Sequence, residues 1–278
     1  YGDHRDLHLS IRRQRQMCIR DRYSFMGPLN GVKVLEFSGI GPGPYCGMLL
    51  ADMGADVIRL SRINSKDSHN KLDIHNRSKR SIVADLKNQD SVKEVLKLIS
   101  SVDVVFEGFR PGVMEKLGLG PQDCFKVNKA LVYGRMTGWG QDGPMSKKAG
   151  HDINYISLTG ALHAIGKKDS NPAIPLNLVG DYGGGGMMLA MGILAAVISS
   201  IKTGKGQVVD SAMVDGSLSL MSLFYSLKEM GYWKDERESN FLDGASHFYN
   251  TYELSLIHIS EPTRLLSIGG GGVGVEKK

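Results

Sequence analysis

Two side chains in this sequence have the type and the setting to move a proton. His151 stands in Gly150-His151-Asp152-Ile153-Asn154-Tyr155, behind a stretch from Met136 to Pro144 that is dense in glycine, polar groups and one aromatic. Asp181 follows thirty residues later, in Val179-Gly180-Asp181-Tyr182, ahead of four glycines and a long apolar run from Met187 to Ile201. An imidazole and a carboxylate can act as acid and base, and a carboxylate can also act as a nucleophile. Glycines at a helix entrance let backbone and ligand approach closely, and a helix N-terminus favours an anion, so the pattern predicts that Asp181 stays ionised. The residues alone leave plainer roles open, Asp181 as an N-cap and His151 as a structural histidine.

A second group of residues could hold a phosphate. Gly39-Ile40-Gly41-Pro42-Gly43-Pro44 follows the apolar run Val32 to Phe37. Its spacing is not G-x-G-x-x-G, and its prolines remove backbone donors that a pyrophosphate would need. Where NAD enzymes carry an acidic residue after the second strand, this chain has Arg59 and Arg62. Arginine suits a phosphorylated ribose, and the 3′-phosphate of coenzyme A satisfies that without a nicotinamide. Solvated arginines would fit the spacing as well. Arg110, just after Glu107-Gly108, is a further candidate cation at the carboxyl edge of the sheet, where ligands of open α/β sheets bind.

The elements that must position these groups alternate between strand and helix. Val32 to Phe37, Asp56 to Leu60, Ser81 to Leu86, Val102 to Phe106 and Ala130 to Tyr133 read as short buried strands. Tyr45 to Met53, a helix opened by a capping box at Ser91 to Glu94, Pro121 to Asn128, and Met187 to Ile201 read as helices. Such alternation predicts an α/β fold, a doubly wound parallel sheet with helices on both faces.

Composition sets the outer bounds. Of the 278 residues, 41% are hydrophobic and 23% charged, the make-up of a globular protein. Three scattered cysteines, Cys18, Cys46 and Cys124, exclude a disulfide framework and zinc-ligand spacing, so a reducing, cytoplasmic setting is expected. The apolar run from Met187 falls short of the roughly 20 residues that cross a bilayer, so no membrane span is expected. The net charge of +5 is carried largely by the ends, +3 in residues 1–26 and +1 in residues 254–278, so the body shows no footprint for nucleic acid. Those ends, residues 1–25 and 254–278, read as non-native tails: YGDHRDLH, RRQRQMCIRD and LSLIHISEPTR resemble translated sequencing adapters.

From about Gly27 to Glu253 the chain resembles the family III CoA-transferase superfamily and, within it, the α-methylacyl-CoA racemases. The resemblance rests on GIGPGP, ADLK, EGFRPGV, MTGWGQ, GHDINYI, NLVGDYGGGGM and GKGQVVDSAMVDG. It implies a Rossmann-like CoA-binding domain over residues 26–200, then a connector and the start of a smaller domain over 201–253. It places the acid/base pair on His151 and Asp181. It places CoA contacts at Arg62, Ala84, Asp85, Leu86, Lys87, Gly108, Phe109, Arg110, Lys116, Gly150, Asp152, Ile153, Asn154 and Tyr155. Relatives often carry arginine where Lys116 stands, which keeps the charge and loses a bidentate grip.

The implied reaction is two-base proton exchange beside a thioester carbonyl, with no metal or redox cofactor, because CoA is part of the substrate. CoA transfer with Asp181 as nucleophile, or an inactive chimera, are the alternatives. Relatives place a glutamate beside the histidine, supplied some dozen residues past the TYE motif, where this chain has Leu266. They also continue further and form interlaced homodimers with the active site at the subunit interface.

Overall fold

The computed structural model describes residues 27–62 and 72–252. The adapter-like tails, the TYE glutamate Glu253 and Leu266 lie outside the described residues.

Six strands form one sheet: β1 (Lys33–Phe37), β2 (Asp56–Ser61), β3 (Lys79–Val83), β4 (Val104–Glu107), β5 (Val132–Thr137) and β6 (Gln207–Ala212). All pairs are parallel, in the order β3-β2-β1-β4-β5-β6. The chain thus winds outward in both directions from the β1–β4 junction, the doubly wound, Rossmann-like arrangement that the alternation predicts. The helices are α1 (Pro42–Asp52), α2 (Gln89–Ile99), α3 (Val113–Lys116), α4 (Pro121–Val127), α5 (Asp152–Leu158), α6 (Ala161–Ala164), α7 (Met188–Thr203), α8 (Met213–Leu220) and α9 (Ser222–Glu229).

Because alternate strand residues face opposite ways, the sheet has two cores. Val34, Val57, Val104, Phe106 and Val132 pack with Cys46 and Leu50 of α1 and Leu189 and Ile193 of α7. Leu35, Phe37, Val105 and Tyr133 pack with Val92, Val95 and Ile99 of α2 and Cys124 of α4. Cys46 and Cys124 are buried free thiols.

Several boundaries differ from the pattern for identifiable reasons. α1 starts three residues early, because Pro42 and Pro44 fit a first helical turn, where a missing N–H costs nothing. β3 starts at Lys79 and stops at Val83, leaving Ala84 to Lys87 as a connection. β5 runs on past Tyr133 to Thr137 through two residues that break an apolar pattern. Gly134 lies beneath Leu189 and Ile193, and Arg135 is ion-paired with Glu107. β6 carries no strong strand signal, since four of its six residues are not fully buried. It nevertheless completes the sheet from beyond residue 200.

The apolar helix is longer than its sequence suggests. Residues Leu178–Met187 form a π-helical segment that runs directly into α7. By length and composition alone, this 26-residue stretch could cross a membrane, contrary to the sequence expectation. Here it lies on the sheet, with Leu189, Ile193, Ala196 and Val197 buried and Gly192 against Val209.

The cap of α2 also differs from expectation. Asn88, rather than Ser91, is the N-cap, its Oδ1 accepting from the N–H groups of Asp90 (2.8 Å) and Ser91 (3.3 Å). Replacing Asn88 by Ala should therefore lower unfolding free energy by about 1 kcal/mol, whereas Ser91→Ala leaves it nearly unchanged, as read by urea denaturation.

Candidate active site

Asp181 lies in the π-helical segment, half-buried above the carboxyl edge of the sheet. Its Oδ2 accepts a hydrogen bond from Asn177 Nδ2 at 3.3 Å, and a Cβ on Gly41 in the β1–α1 turn would come within 3.4 Å of it. Its backbone N–H donates to Asp152 Oδ2 at 2.7 Å. Burial pushes the Asp181 carboxyl above its ordinary value, and the Asp152 charge acts the same way, against Asn177 and His151. Burial thus acts against the expected ionised form, and the glycines lie inside one helical run that starts at Leu178 and continues into α7, with Asp181 in its first turn.

The glycines are not open to a ligand either. Gly184, Gly185 and Gly186 are buried against protein. A Cβ on Gly184 would lie 2.6 Å from Ser217 N, and one on Gly186 2.7 Å from Pro42 O. Gly216 of α8 in turn lies directly on the carbonyl of Gly184. Close approach is the correct physical reading of the run, with helices α1 and α8 as what approaches.

His151 is the exposed residue that precedes α5, in extended conformation (φ −130°, ψ 171°). Its N–H donates to Asn154 Oδ1 at 2.9 Å, which fixes its backbone at the head of the helix. Its imidazole is close enough to act electrostatically on Asp181. The ring of Tyr155 packs on Gly138 and meets Trp139 edge-on at 4.7 Å. Burial first, then the Asp181 and Asp152 charges, push its hydroxyl up to about 12, so it remains a neutral donor beside the pair.

The residues expected to contact CoA fall beyond the carboxyl ends of the strands. Arg62 follows β2, Ala84 to Lys87 follow β3, and Gly108 to Arg110 follow β4. The Ala84 N–H donates to Ser61 O at 3.1 Å, and the guanidinium of Arg62 lies 5.8 Å over the Phe109 ring, so these segments meet. Lys116 ends α3, exposed, one short helix further on. Gly150, Ile153, Asn154 and Tyr155 cluster at α5, whereas Asp152 is buried with its carboxyl turned toward Asp181.

Glu107 sets the β4 turn. It is buried, accepts from Phe109 N at 2.6 Å, and pairs with Arg135 Nε at 3.1 Å; Arg135 also grips Glu115 at 2.7 Å. Burial pushes the Glu107 carboxyl up to about 7, against that N–H and Arg135.

Arg59 does not reach the ligand edge. It is 5% exposed and donates to Asn76 Oδ1 (2.8 Å) and Ser38 Oγ (3.0 Å), so its place as a phosphate cation is withdrawn. It belongs with the buried pair Glu36–Lys79 (2.5 Å) under α1, where Gly47 leaves room for the carboxylate. Sequence reasoning missed Asn177. It also missed the contacts of Tyr182 with Tyr45 (4.7 Å) and with His75, whose Nε2 lies 3.4 Å from the Tyr182 hydroxyl. His75 stands in a polar stretch with no periodicity to flag it. A cavity of about 290 Å³ near α6 and α9, lined by His163, Phe224, Tyr225 and Trp233 among others, includes none of the candidate residues.

The model of the family described as CoA-transferase family III matches residues 29–259. The chain belongs to CoA-transferase family III. It is 46% identical over 225 residues to the alpha-methylacyl-CoA racemase of Mus musculus and 45% identical over 224 to that of Homo sapiens, in each case over 81% of this chain and 58% of the relative. It thus spans less than two thirds of the length of these curated relatives. Among solved structures, a CaiB/BaiF family protein from Brucella suis superimposes with a TM-score of 0.68 at 30% identity, over 74% of this chain and 58% of that one.

A carboxyl whose folded-state value is raised, as for Glu107, favours the folded state below its unfolded value. That contribution is lost as pH rises through the folded one. Wild-type unfolding free energy should therefore fall between about pH 4.5 and 7 on account of Glu107. Glu107→Gln should flatten that part of the denaturation-versus-pH curve.

Proposed function

We propose that the protein is a racemase that interconverts (R)- and (S)-2-methylacyl-CoA thioesters by two-base proton exchange. Support comes from one arrangement: Asp181 and His151 share the carboxyl edge of the sheet within electrostatic reach of each other, beside the Arg62–Phe109 end where a nucleotide would lie.

In one direction neutral His151 removes the hydrogen on the carbon next to the thioester carbonyl. The electron pair moves into the carbonyl to give an enolate, and protonated Asp181 returns a proton to the opposite face. In the other direction Asp181 removes the hydrogen and imidazolium His151 supplies the proton. A carboxyl held above its ordinary value suits this exchange, since efficient acid/base groups lie nearer the working pH than a solvated aspartate does. The segments at Arg62, Ala84 to Lys87 and Gly108 to Arg110 would hold the CoA moiety, which enters and leaves as part of the substrate. No metal or redox cofactor is part of this proposal, and a cytoplasmic setting belongs to it.

A homodimer completes the proposal. Met187 at the end of the π-helical segment and Met191, Ile198 and Ile201 of α7 face solvent, an apolar row at helical spacing that a second copy would cover.

CoA transfer is the competing reaction: Asp181 attacks an acyl thioester, the C–S bond breaks to give a mixed anhydride and CoA thiolate, and the thiolate then attacks the Asp181 carbonyl, freeing the donor acid before CoA passes to an acceptor. The two separate in D₂O with one epimer of a 2-methylacyl-CoA. Racemisation puts deuterium at the α-carbon without an acceptor acid; transfer consumes the 2-methylacyl-CoA only when an acceptor acid is present, and leaves CoA on that acceptor. Asp181→Asn and His151→Gln should each slow α-deuteration by about 10²–10⁴-fold, measured by mass spectrometry. An Asp181 variant that loses transfer while wild type shows no acceptor-free deuteration would overturn the racemase reading.

A further inference from the structure

The resemblance assigns Asp152 to CoA, and the structure turns its carboxyl toward Asp181. We propose that Asp152 is the positioning residue for Asp181, its carboxyl tying the first turn of α5 to the π-helical segment. It thereby holds the two proton-exchanging groups in one arrangement. This rests on the reading of Asp181 as an acid/base group.

Three observations carry it. Asp152 is 6% exposed, so its side chain lies away from solvent. Its Oδ2 accepts the N–H of Asp181 itself at 2.7 Å, a contact across 29 residues of chain. The backbone at Gly180 leaves space for that reach, because a Cβ there would lie 2.7 Å from the same oxygen. Asp152 directly follows His151, whose own N–H is held by Asn154 in the same turn. One helical turn therefore fixes both members of the pair, one by direct succession and the other through Asp152.

The second oxygen, Oδ1, is buried and accepts no hydrogen bond among the described residues. An unmet buried acceptor is costly, so a carboxyl there calls for a use of its charge. The use is at hand: the Asp152 charge strengthens Asp181's hold on its proton, in the direction that burial also acts. The other groups near Asp181 do not share this role. His151 favours its charged form and Asn177 stabilises it by a hydrogen bond. Tyr155 on α5 stays neutral. From the β1–α1 turn Gly41 brings only backbone, and Tyr45 of α1 packs on Tyr182. Asp215 on α8 acts on Asp210 instead.

The test is a ¹³C-carboxyl NMR titration of Asp181 in the intact protein, beside the affinity for coenzyme A. Asp152→Asn keeps an acceptor for the Asp181 N–H and removes the charge. It should move the Asp181 midpoint downward and leave CoA affinity unchanged. Asp152→Ala loses the acceptor as well; it should speed hydrogen exchange at the Asp181 amide and lower kcat for α-deuteration about 10²-fold with KM unchanged. An Asp181 midpoint that stays put in Asp152→Asn overturns the proposal, and weaker CoA binding with that midpoint unmoved returns Asp152 to the ligand. The titration needs no turnover. A wild type without α-deuteration would therefore sink the racemase reading and leave this result readable.

Discussion

Backbone lies directly on backbone where the π-helical segment crosses α1 and α8, and the candidate site is a consequence of that contact. Gly184 meets Ser217 and Gly216, and Gly186 meets Pro42, at separations that no side chain could share. The wide π-helical turn brings Asp181 over the β1–α1 turn, and the absence of side chains lets it settle there. A methyl group on Gly184 would have to displace main chain, which cannot yield as a flexible side chain can. Asp181 is thus placed by the packing of its neighbours, with Asn177 and Asp152 completing its orientation.

The sheet beneath is held by charges inside the protein. Glu36 with Lys79 lies under α1, and Glu107 with Arg135 and Glu115 lies under the β4 turn. Buried ion pairs add little net stability, because desolvation offsets their attraction, but breaking one leaves an uncompensated charge. Their effect is to restrict geometry. The Glu107 carboxylate accepts the Phe109 N–H and so sets where that ring lies, while Arg59 ties the Ser38 turn to Asn76.

Much of this was legible in the sequence, and the misses share a cause. The five strands with short β-branched runs, the winding of the sheet and the helix over Val92 to Ile99 follow from periodicity, because their partners are nonspecific apolar surface. His151 and Asp181 were visible as residue types, but their pairing came from resemblance to a family, since spacing alone left an N-cap and a structural histidine open. β6 was missed because its burial comes only from one flank. Arg59 was misplaced because its partners, Ser38 and Asn76, are 21 and 17 residues away and carry no local pattern. The glycine run was read for the right property and the wrong neighbour. Close approach is written in the sequence, but what approaches is decided by the fold.

The stacking of Arg62 on Phe109 reaches from the end of β2 to the end of β4, over the end of β1 that separates them. A guanidinium on a ring face gains about 0.5–1 kcal/mol at an exposed site. Any nucleotide phosphate that recruits Arg62 must either share that face or displace it. If the proposed CoA binds at this edge, its recognition exchanges one cation partner for another, and the aromatic ring is the resting place of the charge beforehand.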